Sequence, residues 1–433
     1  MPAEESLFVV IYPYKFTDFV YDLIELGEFK RYCDVLVWDI SMITSPKYSK
    51  GVSVKRSKKD GVITFSSLLS FIRNVYELRE RSTKLSICIL NEVPCSSLSE
   101  VICNLIIGAF LRKRCVILDL YNGGVPINYY DGTLVLDGIN GNSKFYAKFV
   151  RFCKNTTTIL EAWKKMLGVL FGLLAHIIPS STTHRLVAGE DWFKLANKST
   201  LKGNRIRFVF AHSNDYSNNL LHKPKSPSLA IPQKRMAVLL DGGGPMYGSD
   251  FLHMRRKVYF TTDVWYPSLV RFFDWIEDQT GVQVKIAGHY KSTHVAIAPC
   301  FGNRPVHYGK TRELVRNSDF VITRASTAIS YAVMFKKPVI FIYSNQLKDD
   351  YLAMSTIRGT AAMLGNEPIN IDAPPIDIEG LLEIDEKRYR NYKRICLTST
   401  SSPRPNSQII LEDIMNIDTG SDITKIGPDC TIK

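Results

Sequence analysis

The chain has 433 residues, 45% hydrophobic and 22% charged, with a formal net charge of +13. That length predicts two domains of about 200 residues each, and the balance is that of a soluble globular protein. The longest apolar stretch, MLGVLFGLLAHII at 166–178, is interrupted by a histidine and falls short of the roughly 18 to 20 residues that span a bilayer. The start, MPAEESLFVVIYPY, is acidic where a secretory signal would be basic. Nine scattered cysteines without a CxxC pair predict reduced, mostly buried thiols in a cytoplasmic protein, with no metal and no disulfide framework. The positive charge favours anionic partners. The cations are dispersed, the densest cluster being VKRSKKDG at 54–61, and no zinc finger, basic zipper or RNP-like aromatic pattern accompanies them. Nucleic acid is therefore not expected as a partner. Peripheral contact with the cytoplasmic face of an anionic inner membrane is.

In chain order, LFVVIY (7–12), DVLVWDI (34–40), LSICIL (85–90), CVILDL (115–120) and GTLVLDG (132–138) read as strands. FTDFVYDLIELGEF and FSSLLSFIRNVYELRERS between them repeat apolar residues at helical spacing. Strands alternating with helices predict right-handed βαβ units and a parallel sheet. A helical region follows at about 145–176, and IRFVFAHSNDYSNNLL (206–221) reads as one more strand entering a polar loop. HKPKSPSLAIPQKR (222–235), with three prolines, is the predicted linker. The alternation then restarts: MAVLLDGG, VQVKIAGH, FVITRAS and PVIFIY read as strands, WYPSLVRFFDWIEDQTG and TAISYAVMF as helices. The fold class expected is α/β, two Rossmann-like domains facing a cleft. The domains are 1–221, the linker 222–235, 236–390, and a closing helix and tail at 391–433.

In open α/β sheets, ligands bind at the carboxyl ends of the strands. The second half places a polar group after each strand: Asp241-Gly242-Gly243-Gly244, His289, Arg324-Ala325-Ser326-Thr327 and Ser344-Asn345-Gln346. Glycines at 242 and 243 allow positive φ and close approach of a ligand. Asp241 in that setting is a base, a nucleophile or a turn former. Ser326 and Thr327 open the predicted helix TAISYAVMF, so one of them is expected as its N-cap. The free N–H groups and dipole of a helix start also suit a phosphate, plain capping being the alternative. Neither GxGxxG nor GxxxxGK[ST] is present, which argues against a dinucleotide oxidoreductase and a P-loop NTPase.

The order strand-Asp-Gly, strand-His, strand-x-Ser-Thr-helix, then KKPVIFIY resembles the GT-B glycosyltransferases of bacterial surface polysaccharide assembly. Within them the likeness is to enzymes of CMP-activated ulosonic sugars, the sialyltransferases and Kdo transferases. It spans roughly 206–345. FAHSNDY, VLLDGGGPMYGSD, WYPSLVRFFDWIEDQTGVQVKIAGHYK and FGNRPVHYGKTRELVRNSDFVITRAST carry it. The resemblance implies a metal-independent glycosyltransferase that needs no cofactor. Its partners would be a CMP-sugar donor and a capsule, O-antigen or other glycan or lipid-linked acceptor. It sets His289 and Lys291 against the nucleotide, Ser326 and Thr327 against its phosphate, and Asp241 at the reacting carbon. Tyr290 stands where the family's HP motif has proline. A carboxylate beside an oxocarbenium-like centre stabilises it or attacks it. Arg324, Lys291 and the helix start would meet the leaving phosphate. Glu190 in AGEDWF and Asp215 in HSNDY, near His212, are the acceptor-side candidates. The alternatives are a UDP- or GDP-sugar or polyol-phosphate donor in the same cleft, or a non-catalytic module that binds nucleotide or glycan.

Overall fold

The computed structural model describes residues 6–46, 49, 55–95, 97–126, 181–198, 206–222, 235–245, 259–289, 298–375 and 377–420. The predicted strand at 132–138, the helical region at 145–176, nearly all of the linker, Tyr290 and Lys291 lie outside them.

The described residues form two parallel sheets, so the predicted pair of Rossmann-like α/β units is what is found. The first contains β1 (Ser6–Tyr12), β2 (Asp34–Asp39), β3 (Val62–Thr64), β4 (Ser86–Asn91), β5 (Val116–Tyr121), β6 (His184–Val187) and β7 (Arg207–Phe210), in the order β3-β2-β1-β4-β5-β6-β7. The second contains β8 (Met236–Leu240), β9 (Gln283–Ala287), β10 (Val306–His307), β11 (Phe320–Thr323), β12 (Val339–Tyr343) and β13 (Ile369–Asn370), in the order β10-β9-β8-β11-β12-β13. The chain reverses its direction of travel across each sheet once: between β1 and β4 in the first, between β8 and β11 in the second.

The central strands are apolar throughout because helices cover both faces of the sheet. Alternation assigns each residue its face. Leu7, Val9, Ile11, Ile87, Ile89 and Ile117 point to one side, against Phe71, Val75 and Leu78 of helix Leu68–Arg81 and Cys103, Ile107 and Leu111 of helix Leu98–Leu111. Phe8, Val10, Cys88, Leu90 and Leu118 point to the other, against Leu26, Phe29, Ile409, Ile410 and Leu411. Helix Asn406–Asp413 therefore completes the core of the first unit from the far end of the chain. Burying each of its isoleucines stabilises that join by about 1.5–3 kcal/mol. In the second unit, Trp265, Leu269, Phe272, Phe273 and Ile276 of helix Thr262–Thr280 cover β8 and its neighbours.

One predicted helix divides. FTDFVYDLIELGEF forms Asp18–Leu23 and Leu26–Phe29, with Glu25 between them at φ +60. The break puts the Glu25 carboxylate in the interior, where it accepts bonds from the Ser217 hydroxyl and, at 2.9 Å, from the Ser407 N–H. Those bonds tie three segments distant in sequence. The seven described cysteines are free, five of them buried, and burial pushes the Cys33 and Cys103 thiols up to about 12. No described helix is long and apolar enough to cross a membrane.

Candidate functional site

Register sets Leu240 of β8 opposite Ala287 of β9 and Thr323 of β11. The next residues out, Asp241, Gly288-His289 and Arg324, thus share the carboxyl edge. Asp241 and Arg324 flank the reversal between β8 and β11, where a crevice opens in doubly wound sheets.

Asp241 is held by the backbone around it. Its N–H donates to Ala287 O at 3.1 Å and its Oδ1 accepts from Gly243 N at 3.0 Å. Its Oδ2 is shut off from solvent and has no hydrogen-bond partner among the described residues. Burial raises its pKa above the ordinary aspartate value, against the backbone bonds from Gly243 and His289 and the charge of Arg324. An unsatisfied buried acceptor costs about 1–3 kcal/mol, and a site that meets a ligand is one reason to keep it.

The glycines follow from what surrounds them. Gly243 and Gly244 have φ of +81 and +45. A Cβ at 244 would lie 3.0 Å from the Tyr266 hydroxyl, and one at 242 would lie 3.4 Å from Arg324 Nη2. The Tyr266 hydroxyl is a second buried polar atom without a partner among the described residues. Burial and then the Asp241 charge raise its pKa, so it remains a protonated donor at any physiological pH. Tyr308 is raised by the same two causes. The Arg324 guanidinium stands over the rings of Phe260 (4.7 Å) and Trp265 (5.8 Å), which fix its direction. Sequence reasoning missed the two tyrosines. Both lie outside the strand-end positions it searched, Tyr266 on a helix and Tyr308 after β10, a strand of two residues.

The other predicted residues take varied positions. His289 is half-buried just past β9, and its backbone supports Asp241. Ser326 and Thr327 do not cap a helix. The helix begins at Ile329 after Ala328, which has no side-chain cap, and Ser326 Oγ accepts instead from Ala328 N at 3.3 Å. A serine bonding two residues ahead makes a turn that competes with helix, so the first helical turn starts later than the sequence predicts. Thr327 is exposed, and its carbonyl accepts from Ser330 Oγ at 3.0 Å.

The acceptor-side candidates lie apart from both reversals. Glu190 opens helix Glu190–Lys198 and pairs with Arg394. Asp215, on helix Asn214–Leu221, accepts from the Ser330 hydroxyl and bonds Tyr331, both of the second unit. Burial holds it up at about 6. His212 is fully buried, stacked on Tyr216 (4.8 Å), with Nδ1 2.8 Å from Thr398 Oγ1. Burial pushes it down to about 4. These three side chains join elements to one another. The segment after Tyr392 does the same at the carboxyl ends of β5–β7: Tyr392 bonds Gly124 O, Ser399 Oγ bonds Gly189 N, and Leu397 O bonds Ser213 N.

The first unit's own reversal carries a carboxylate that sequence reasoning did not single out. Glu92 follows β4, and its N–H donates to Ile11 O of β1 at 3.1 Å. Its Oε1 is buried without a partner among the described residues. Burial, then the charge of Asp119, raises it to about 7. Each sheet thus presents a carboxylate with one unsatisfied oxygen at its switch point.

No protein-family model and no curated protein matches the chain. Among solved structures, UDP-GlcNAc 2-epimerase from Methanocaldococcus jannaschii aligns at TM-score 0.43 and 10% identity, over 95% of this chain and 99% of that one. The glycosyltransferase SnogD from Streptomyces nogalater aligns at TM-score 0.42 and 9% identity, over 95% and 99%. UDP-GlcNAc 2-epimerase from Neisseria meningitidis, bound to UDP-GlcNAc, aligns at 0.40 and 11%, over 95% and 99%. At these identities and scores none of them transfers a residue role to this chain.

Proposed function

We propose that the chain is an enzyme of nucleotide-activated sugars, a GT-B glycosyltransferase that moves the sugar to a glycan or lipid-linked acceptor. The observation that carries this reading is the cluster of side chains at the carboxyl edge of β8 and β11. There the unsatisfied Asp241 Oδ2 and Tyr266 hydroxyl flank a cation, Arg324, held by aromatic rings. Arg324 meets the donor phosphate, Tyr266 donates to a phosphate or sugar oxygen, and Asp241 faces the oxocarbenium-like centre as it forms. Glu92, poised near neutrality, takes the proton of the acceptor hydroxyl. In this reading residues 1–221 form the acceptor side and 236–390 the donor side, and the chain works on the cytoplasmic side of a membrane.

A UDP- or GDP-sugar is the preferred donor, and a CMP-ulosonic sugar is the second reading. The CMP reading needs Ser326 and Thr327 at a helix start aimed at a phosphate, and here they form the turn before one. Thermal-shift titration with UDP, GDP and CMP, followed by donor turnover, tests both. A UDP or GDP shift that disappears in Arg324→Ala supports the first reading, and a CMP shift alone reinstates the second. Silence from all three, with no turnover of any donor, overturns the enzyme reading.

A further inference from the structure

Helices Leu68–Arg81 and Leu98–Leu111 lie side by side on one face of the first sheet. Their inner faces are core. Their outer faces carry large apolar side chains in solvent: Leu69 is 79% exposed, Tyr76 51%, Leu98 55% and Leu105 44%. Both pairs are seven residues apart, so each forms a stripe along its helix. Arg79 of the first helix stands 5.9 Å over the Phe110 ring of the second, so the two elements touch along their flanks. The second helix, LSEVICNLIIGAFL, is apolar almost all round, a pattern suited to apolar surroundings on more than one side.

Charge is arranged about this face in one way. Both helices return between parallel strands, β3 to β4 and β4 to β5. They therefore run in the same direction and end at the same edge. At that edge stand Arg79 and Arg81 in the last turn of the first helix and Lys84 after it, with Arg112, Lys113 and Arg114 after the second. The exposed acids of the first helix are Glu77, paired with Arg73 at 3.0 Å, and Glu80.

We infer that this two-helix face docks on a bilayer surface bearing anionic headgroups. The apolar stripes enter the boundary between headgroups and acyl chains, and the cationic edge meets lipid phosphates. The concentration of cations at one edge, in a chain of net charge +13, singles out a negatively charged plane as the occupant. The inference rests on this face alone and stands independently of the donor site.

Flotation of the full-length protein with vesicles tests it. Binding is expected to phosphatidylcholine vesicles containing phosphatidylglycerol and not to phosphatidylcholine alone, and to fall with added salt. Leu69→Gln with Leu105→Gln should weaken it by about tenfold or more, with an unchanged melting temperature because both side chains are exposed. Arg112→Gln, Lys113→Gln and Arg114→Gln together should remove the dependence on phosphatidylglycerol. Failure to float with anionic vesicles overturns the inference, as does flotation that these variants leave intact. A dimer in solution that Leu69→Gln with Leu105→Gln dissolves, without flotation of the wild type, assigns the face to a second copy instead.

Discussion

Asp241 and Glu92 each stand one residue past a central strand at the reversal of strand order, on opposite sides of it (β8 is the first strand of its unit, β4 the fourth), and each has one buried oxygen without a partner among the described residues. Their partners differ, and so do their expected phenotypes. Glu92→Gln removes a titrating group while keeping its shape. It should lower turnover by about 10²- to 10⁴-fold, the range for a lost general base, and remove the limb of the pH profile near 7, with donor binding unchanged. Turnover within twofold or so of wild type would assign Glu92 no part in proton transfer. Gly244→Ala tests the strand-end cluster of the second sheet. At φ +45 and with its Cβ 3.0 Å from the Tyr266 hydroxyl, alanine must displace either the loop or the phenol. A cost of roughly 1–3 kcal/mol in stability and weaker donor binding are expected, and a variant indistinguishable from wild type would mean the loop has room to spare. At this scale the sequence was legible in part. A carboxylate and three glycines behind the apolar run MAVLL stand out on reading. Glu92 in LNEVP does not, because its position has meaning only when β4 is known to pair with β1 across a reversal. Nothing local in the sequence encodes that pairing.

At the scale of elements, legibility followed length and burial. The long apolar runs that became β1, β2, β4, β5, β8, β9, β11 and β12 were readable because strands covered on both faces carry uninterrupted apolar residues. β3, β10 and β13 have two or three residues each, and β6 is the four residues HRLV with its cations, too short for any period to show. The helix Asn406–Asp413 illustrates a different gap. Its local sequence forms a helix, but its assignment to the first core depends on Ile409, Ile410 and Leu411 meeting Phe8 and Val10 some four hundred residues away. Ile410→Ala should destabilise the first unit by about 2–5 kcal/mol. Differential unfolding followed by limited proteolysis should show that unit opening first. Unchanged stability would place the helix outside the core. Gly189 gives the same join a sharper test. A Cβ there would lie 2.1 Å from Ile395 O, at φ +87, so Gly189→Ala must part helix Glu190–Lys198 from the segment Lys393–Leu397. The expected result is a lower melting temperature and loss of the Glu190–Arg394 pair.

For the molecule as a whole, the two units are joined by a titratable contact, and its pH dependence has a definite sign. Asp215 of the first unit accepts from Ser330 of the second, and burial raises its pKa from 3.8 to about 6. An aspartate raised in the folded state binds its proton there at pH values where the unfolded chain has released it. Between about pH 4 and 6 the folded form therefore holds more protons, and stability falls as pH rises through that window. Asp119 at about 6 and Glu92 at about 7, both raised first by burial, act in the same direction. His212, lowered to about 4, acts in the opposite one: between about 4 and 6.5 the unfolded chain binds the extra proton, so its part of the stability grows with pH. The curve for the whole protein is the sum of these, and a single variant is needed to isolate the join. Asp215→Asn keeps a neutral side chain of the same shape at every pH. At about pH 4, where Asp215 is neutral in the folded protein and the unfolded chain has only begun to release its proton, wild type and variant should melt within a degree or so of each other. By pH 8 the wild type carries a buried charge that the variant lacks, and the variant should gain on it by roughly 1–3 kcal/mol, a few degrees in Tm. A difference between the two proteins that stays constant from about pH 4 to 8 would show that Asp215 titrates as it does in water, and that the contact between the units is open to solvent.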